Sequence, residues 1–198
     1  MGRFLVGSLL VWASLSAVNG FYSIQIVALG GGTSLVGVAW VVGALVEIPI
    51  MWTFPRLAMR FSAERLLVTG SVIFAARNLL AALAPNAGVL VAIAPLEGAG
   101  FGLFFVGGVG FVAARAPAGL AGTAQGVYSA TTGLAAIIGA GAAGLIASVL
   151  SIPGMFAVAG AVGVVAAIVV AGAVLGSVPS AATDPDATPV AVNALPDG

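Results

Sequence analysis

Three charged side chains, Glu47, Arg77 and Glu97, stand near the middle of long apolar runs, in a chain of 198 residues that is 61% hydrophobic and 6% charged. A charge at the centre of a bilayer costs roughly 2.5–3.5 kcal/mol on insertion scales. Such groups therefore mark solute pathways, proton sites or bound partners. A guanidinium stays protonated. Arg77 can thus pair with one carboxylate or with an anionic solute. Two negatives against one positive leave the second carboxylate as a candidate to hold a proton at neutral pH. The bland alternative is that these charges only hold helices together.

Residues three and four apart on a helix share a face. Glu47 shares its face with Trp40, Gly43, Ala44 and Met51, and Glu97 with Ile93, Phe101 and Phe104. Asn78 adjoins Arg77, and Asn19, Tyr22 and Gln25 fall roughly together. The candidate solute and proton pathway is therefore Glu47, Arg77, Glu97, Asn19, Tyr22, Asn78, Trp40 and Phe101. Two of the charges sit beside proline, in Glu47-Ile48-Pro49 and Pro95-Leu96-Glu97. Proline frees a carbonyl one turn back, which in lipid needs a partner or a wet cavity.

Composition excludes other classes. There is no Cys and no His, which removes disulfides, most zinc chemistry and Ser–His catalysis. No cofactor, metal or catalytic residue is expected, and no enzyme activity. Net charge is zero, so nothing suggests a nucleic-acid partner. A mean hydropathy of +1.23 places the chain among polytopic membrane proteins.

The elements that must carry these residues are all α-helical. A span needs about 20 apolar residues. Six are expected, at about 4–28, 34–54, 65–84, 88–112, 120–149 and 154–177, with end errors of about 2–4 residues. Gly30 to Ser34, Pro85-Asn86-Ala87-Gly88 and Ser151-Ile152-Pro153-Gly154 punctuate them. The transmembrane domain is expected over 1–178, followed by a disordered cytoplasmic tail over 179–198. The first run could be a secretory signal, but its apolar character continues past Asn19 through Val27, which favours a span. Five arginines, Arg3, Arg56, Arg60, Arg65 and Arg115, fall on one side of a six-span topology, and the other connections are uncharged. The positive-inside rule makes that side, and both termini, cytoplasmic.

Residues 55–65, Pro-Arg-Leu-Ala-Met-Arg-Phe-Ser-Ala-Glu-Arg, resemble the cytoplasmic loop of major facilitator superfamily transporters, whose fuller form is G-x-L-a-D-r-x-G-r-r. Leu57, Ala58, Arg60 and Arg65 match. Pro55, Met59, Ser62 and Glu64 depart, and Met59 replaces the acidic position. Together with Glu47, Arg77, Glu97 and Gly122-Thr123-Ala124-Gln125-Gly126, the layout looks like the C-terminal half of such a transporter. It looks closest to the lactose-permease-like and phenylpropionate-permease-like branch, although the His common there is missing. The resemblance implies six helices as two inverted three-helix repeats in the cell inner membrane. It also implies secondary transport of a small organic solute, plausibly with protons. The lipid bilayer and an N-terminal six-helix half, or a second copy, are the implied partners. The alternative is a membrane subunit or fragment that transports nothing.

Overall fold

The computed structural model describes residues 1–176, so the expected tail over 179–198 lies outside the described residues. The described chain is helical throughout: α1 (Gly2–Ala28), α2 (Thr33–Phe61), α3 (Ala63–Ala82), α4 (Ala87–Arg115) and α5 (Ala121–Val174). All five are long and apolar enough to cross a membrane.

Two boundaries differ from expectation. Helix α2 continues through Pro49 and Pro55 to Phe61, so much of the arginine-bearing stretch is helix rather than loop. Leu57, Ala58, Met59 and Arg60 favour helix. The chain then reverses at Ser62, at φ 65°. The Ser62 side chain accepts a hydrogen bond from the Arg65 N–H and so caps α3.

The fifth and sixth expected helices form one element of 54 residues, interrupted at Ser151 (φ 69°, ψ 170°). That backbone region is strained for any residue but glycine. Ile152, Pro153 and Gly154 were expected as turn but lie in helix. Pro153 is tolerated because the first turn of a helix has no partner for its N–H anyway. Unbroken, 54 residues would run about 81 Å, far beyond a hydrocarbon core of about 30 Å. Instead both arms fold back along α1. Gly139 of the first arm abuts Ala13, and Val170 of the second abuts Gly7.

The second arm also lies on α3, with Gly160 against Leu79 and Gly163 against Ala75. Helix α4 crosses α2 and α3. One core gathers Phe4, Trp12, Phe74, Phe104, Phe111 and Tyr128. A second gathers Val18, Tyr22, Ile26, Leu90, Met155 and Phe156. Helix α2 has little of its surface buried, and Val41, Leu45, Ile48 and Trp52 form an exposed stripe along it.

Apart from Arg77, the arginines collect at one end. Glu64 at the start of α3 pairs with Arg115 at the end of α4 at 3.9 Å. The Phe4 and Phe111 rings bring the start of α1 to the same place, with centroids 4.4 Å apart. At the opposite end the α1–α2 turn, with Gly30 at φ 82°, packs against Ala87.

Candidate functional site

The site is built where α2 and α4 cross with almost no space between their backbones. A methyl group on Gly98 would collide with the Gly43 carbonyl, and one on Gly102 would stand 2.9 Å from Ile50 and 3.3 Å from the Glu47 carbonyl. Small residues allow such contact in membranes, where apolar side chains gain little by leaving lipid. The close crossing brings Glu47 of α2 and Glu97 of α4 to one locality. A side chain at Gly43 would lie 3.2 Å from Glu97 Oε2.

From α1, Asn19 Nδ2 donates to Glu97 Oε1 at 3.1 Å. One turn on, the Tyr22 hydroxyl donates to the Leu90 carbonyl of α4. The face of the same ring carries the Arg77 guanidinium of α3 at 4.2 Å. Tyr22 thereby joins three helices. Arg77 is 1% exposed. Its Nη1 donates a long hydrogen bond to Asn78 Oδ1 at 3.4 Å, while Arg77 Nε and Asn78 Nδ2 have no hydrogen-bond partner among the described residues. Glu97 acts electrostatically on Glu47, Tyr22 and Arg77.

Six of the eight expected residues are therefore brought together: Asn19, Tyr22, Glu47, Arg77, Asn78 and Glu97. Of the two partners expected for Arg77, a carboxylate or an anionic solute, the carboxylate is not in place among the described residues. Among the described residues the ion pair within 4.0 Å is Glu64–Arg115, and Arg77 leans on an aromatic ring instead of a carboxylate. Cation–π contact is worth about 2 kcal/mol or more when desolvated, which offsets part of the cost of burying the guanidinium, while both carboxylates are half-buried.

Trp40 and Phe101 make other contacts. Trp40 is 40% exposed and its indole N–H reaches Ser23 Oγ at 3.4 Å. Phe101 packs edge-on to Trp12, with ring centroids 5.5 Å apart. Sequence reasoning singled out neither Trp12 nor the Leu90 carbonyl. Gly43 and Gly98 were visible as small residues beside the carboxylates, and that adjacency was the usable signal.

The sequence has a known relative. A 126-residue stretch is 31% identical to a "Maltose permease" of Geobacillus stearothermophilus. The match covers 64% of this chain and 32% of that permease, so the aligned stretch spans about a third of its relative's length. The model of the MFS_1 like family matches residues 1–158. With that match over most of the chain, the chain belongs to the MFS_1 like family of the major facilitator superfamily.

Proposed function

We propose that the chain is the C-terminal six-span half of a major facilitator type secondary transporter, taking a small organic solute at the bilayer midplane with proton coupling. The observation that carries this reading is the Glu97 locus. A half-exposed carboxylate, held by Asn19, abuts a second helix bearing Glu47 and neighbours a fully buried arginine. Mid-membrane charges that serve packing alone would be fully enclosed and paired. Among the described residues Glu47 and Glu97 are neither fully enclosed nor in an ion pair.

The six-span count rests on reading the two arms of α5 as separate spans. An inverted three-plus-three repeat is supported by the pattern of contacts. Helix α1 lies against both arms of α5, α4 lies against α2 and α3, and α3 packs on the second arm. Exchanging α1 with α4, α2 with the first arm and α3 with the second reproduces that pattern. Ser62 and Ser151, both at positive φ, then occupy equivalent junctions. In this reading Glu47 and Glu97 carry protons or contact a cationic group, and Arg77 with Asn78 orients an anionic or hydroxyl-bearing part of the solute. The arrangement of the carboxylates and arginine favours the lactose-permease-like branch, and the arginine-bearing end is cytoplasmic by the positive-inside rule. The cavity is completed by an N-terminal half or a second copy.

Reconstituted proteoliposomes test this. Maltose, named for the relative, is the first solute to try. Co-reconstituted with a complementary six-span half, the chain supports solute-driven proton uptake, and Glu97→Gln abolishes the pH dependence while leaving solute binding. Proton uptake unchanged in both Glu97→Gln and Glu47→Gln would refute the assignment.

A further inference from the structure

A groove of about 350 Å³ opens at the arginine-bearing end, between the start of α1, the α4–α5 connection and the first arm of α5. Leu5, Leu120, Ala124 and Val127 make its apolar walls, and Arg115 stands at its rim. An aromatic cluster lies nearby in sequence: Phe4 packs tilted against Phe111 and stacks on Tyr128, with centroids 4.4 and 5.9 Å apart. The Arg115 guanidinium lies over Phe111 at 3.8 Å, so the cation is fixed in place beside the groove.

We infer that this groove holds an anionic phospholipid of the leaflet at that end. Its phosphate would sit at Arg115 and one acyl chain along Leu5, Leu120 and Val127. The chemistry is complementary in both parts. A guanidinium presents a planar fork of donors that matches phosphate oxygens. The apolar walls run from the helix ends along Leu5, Ala124 and Val127, as an acyl chain requires. Arg3, Arg56, Arg60, Arg65 and Arg115 share this end with one carboxylate, Glu64, among the described residues. That balance draws anionic rather than zwitterionic headgroups, by about 1 kcal/mol for each arginine near the surface. The inference does not depend on transport, since lipid occupancy is read on the chain alone.

Native mass spectrometry of the full chain in detergent gives the test, with phosphatidylglycerol, phosphatidylcholine, inorganic phosphate and glycerol phosphate as probes. The wild type retains phosphatidylglycerol in preference to phosphatidylcholine, and neither phosphate nor glycerol phosphate displaces it. Arg115→Gln weakens retention about fivefold, the effect of one interfacial arginine. Val127→Trp fills the groove, leaves every charge in place and weakens retention as well, which separates occupancy from general surface attraction. Equal retention of the two lipids would overturn the inference. So would full phosphatidylglycerol retention in both variants, or displacement by glycerol phosphate alone. The chain's own Asp184 and Asp186 are rival anions. Phosphatidylglycerol binding that appears only in an Asp184→Asn, Asp186→Asn double variant would assign the groove to that segment instead.

Discussion

Arg77 and Arg115 each lay a guanidinium on an aromatic ring, Tyr22 at 4.2 Å and Phe111 at 3.8 Å. The contact is the same and the surroundings are opposite. Arg77 is enclosed by α1, α3 and α4 with a donor left over. Arg115 stands at a helix end, half open, with Glu64 at 3.9 Å. In the interior a polar group depends on the exact placement of its neighbours, because no water can substitute for them. At the end, water and salt compensate for whatever the protein does not supply. If this contrast holds, disturbances of the α2–α4 crossing are severe and disturbances at the arginine-bearing end are mild.

The largest effect tests the crossing itself. Gly98→Val drives a branched side chain into the Gly43 carbonyl and the Glu47 N–H. Backbone cannot yield as a flexible side chain can, so the cost lies at or above the usual overpacking range of about 1–3 kcal/mol. The variant is expected to accumulate poorly, or to melt well below wild type by a fluorescence-based thermal shift in detergent. Gly110 lies on the same helix near Arg115, and a methyl group added there would meet nothing within 4 Å. Gly110→Val is the paired control and should fall within about 0.5 kcal/mol of wild type. Equal damage in both would mean that the crossing is not the tight point.

Next in size is Arg77. Arg77→Ala empties a large buried volume and should cost about 2–5 kcal/mol, as other large-to-small interior changes do. Arg77→Met restores most of that volume without the charge and should lie within about 1.5 kcal/mol of wild type. Among the described residues no carboxylate lies within ion-pairing distance of Arg77, so Glu47→Gln should not rescue Arg77→Ala. A full rescue would place a carboxylate on Arg77 in the membrane and erase the contrast with Arg115.

A smaller effect is expected at Asn19. Asn19→Ala removes a donor to the Glu97 carboxylate, and unmaking a hydrogen bond to a charged acceptor costs about 1.5–3 kcal/mol when buried. Glu97 is half-exposed, so the low end applies. In the Glu97→Gln background the same change should cost less, because an amide oxygen is a weaker acceptor. A double-mutant cycle by chemical denaturation reads the difference, and zero coupling would show that Asn19 does not hold Glu97.

Much of this was legible in the sequence. Apolar length alone located α1 to α4 within a few residues, except at the end of α2. There Pro55 and the arginines suggested loop, but helix-favouring Leu57 to Arg60 prevailed and only Ser62 ended the run. Charge in an apolar run picked out Glu47, Arg77 and Glu97, because lipid makes such residues rare. Their partners were not legible. A cation beside two carboxylates implies an ion pair by charge alone, whereas the fold sets Arg77 against the ring of Tyr22. That choice depends on helix rotation, which a hydrophobic pattern with no polar face leaves undetermined. The contacts of Trp40 with Ser23 and of Phe101 with Trp12 were not legible for the same reason.

The smallest expected effect closes the comparison at the arginine-bearing end. Glu64 and Arg115 are 35% and 23% exposed along their side chains. Exposed ion pairs are worth about 0.2–1 kcal/mol and weaken with salt. Glu64→Gln should therefore lower the melting temperature slightly at low salt and not at all near 1 M, where screening acts over about 3 Å. Arg115→Lys keeps the charge but loses the planar stacking on Phe111, so its deficit should persist at high salt. The two variants thus separate charge from stacking at Arg115. If Glu64→Gln proved as costly as Arg77→Ala, and equally so at high salt, the Glu64–Arg115 pair would be acting as a buried one. The contrast between the two regions would then rest on something other than access to water.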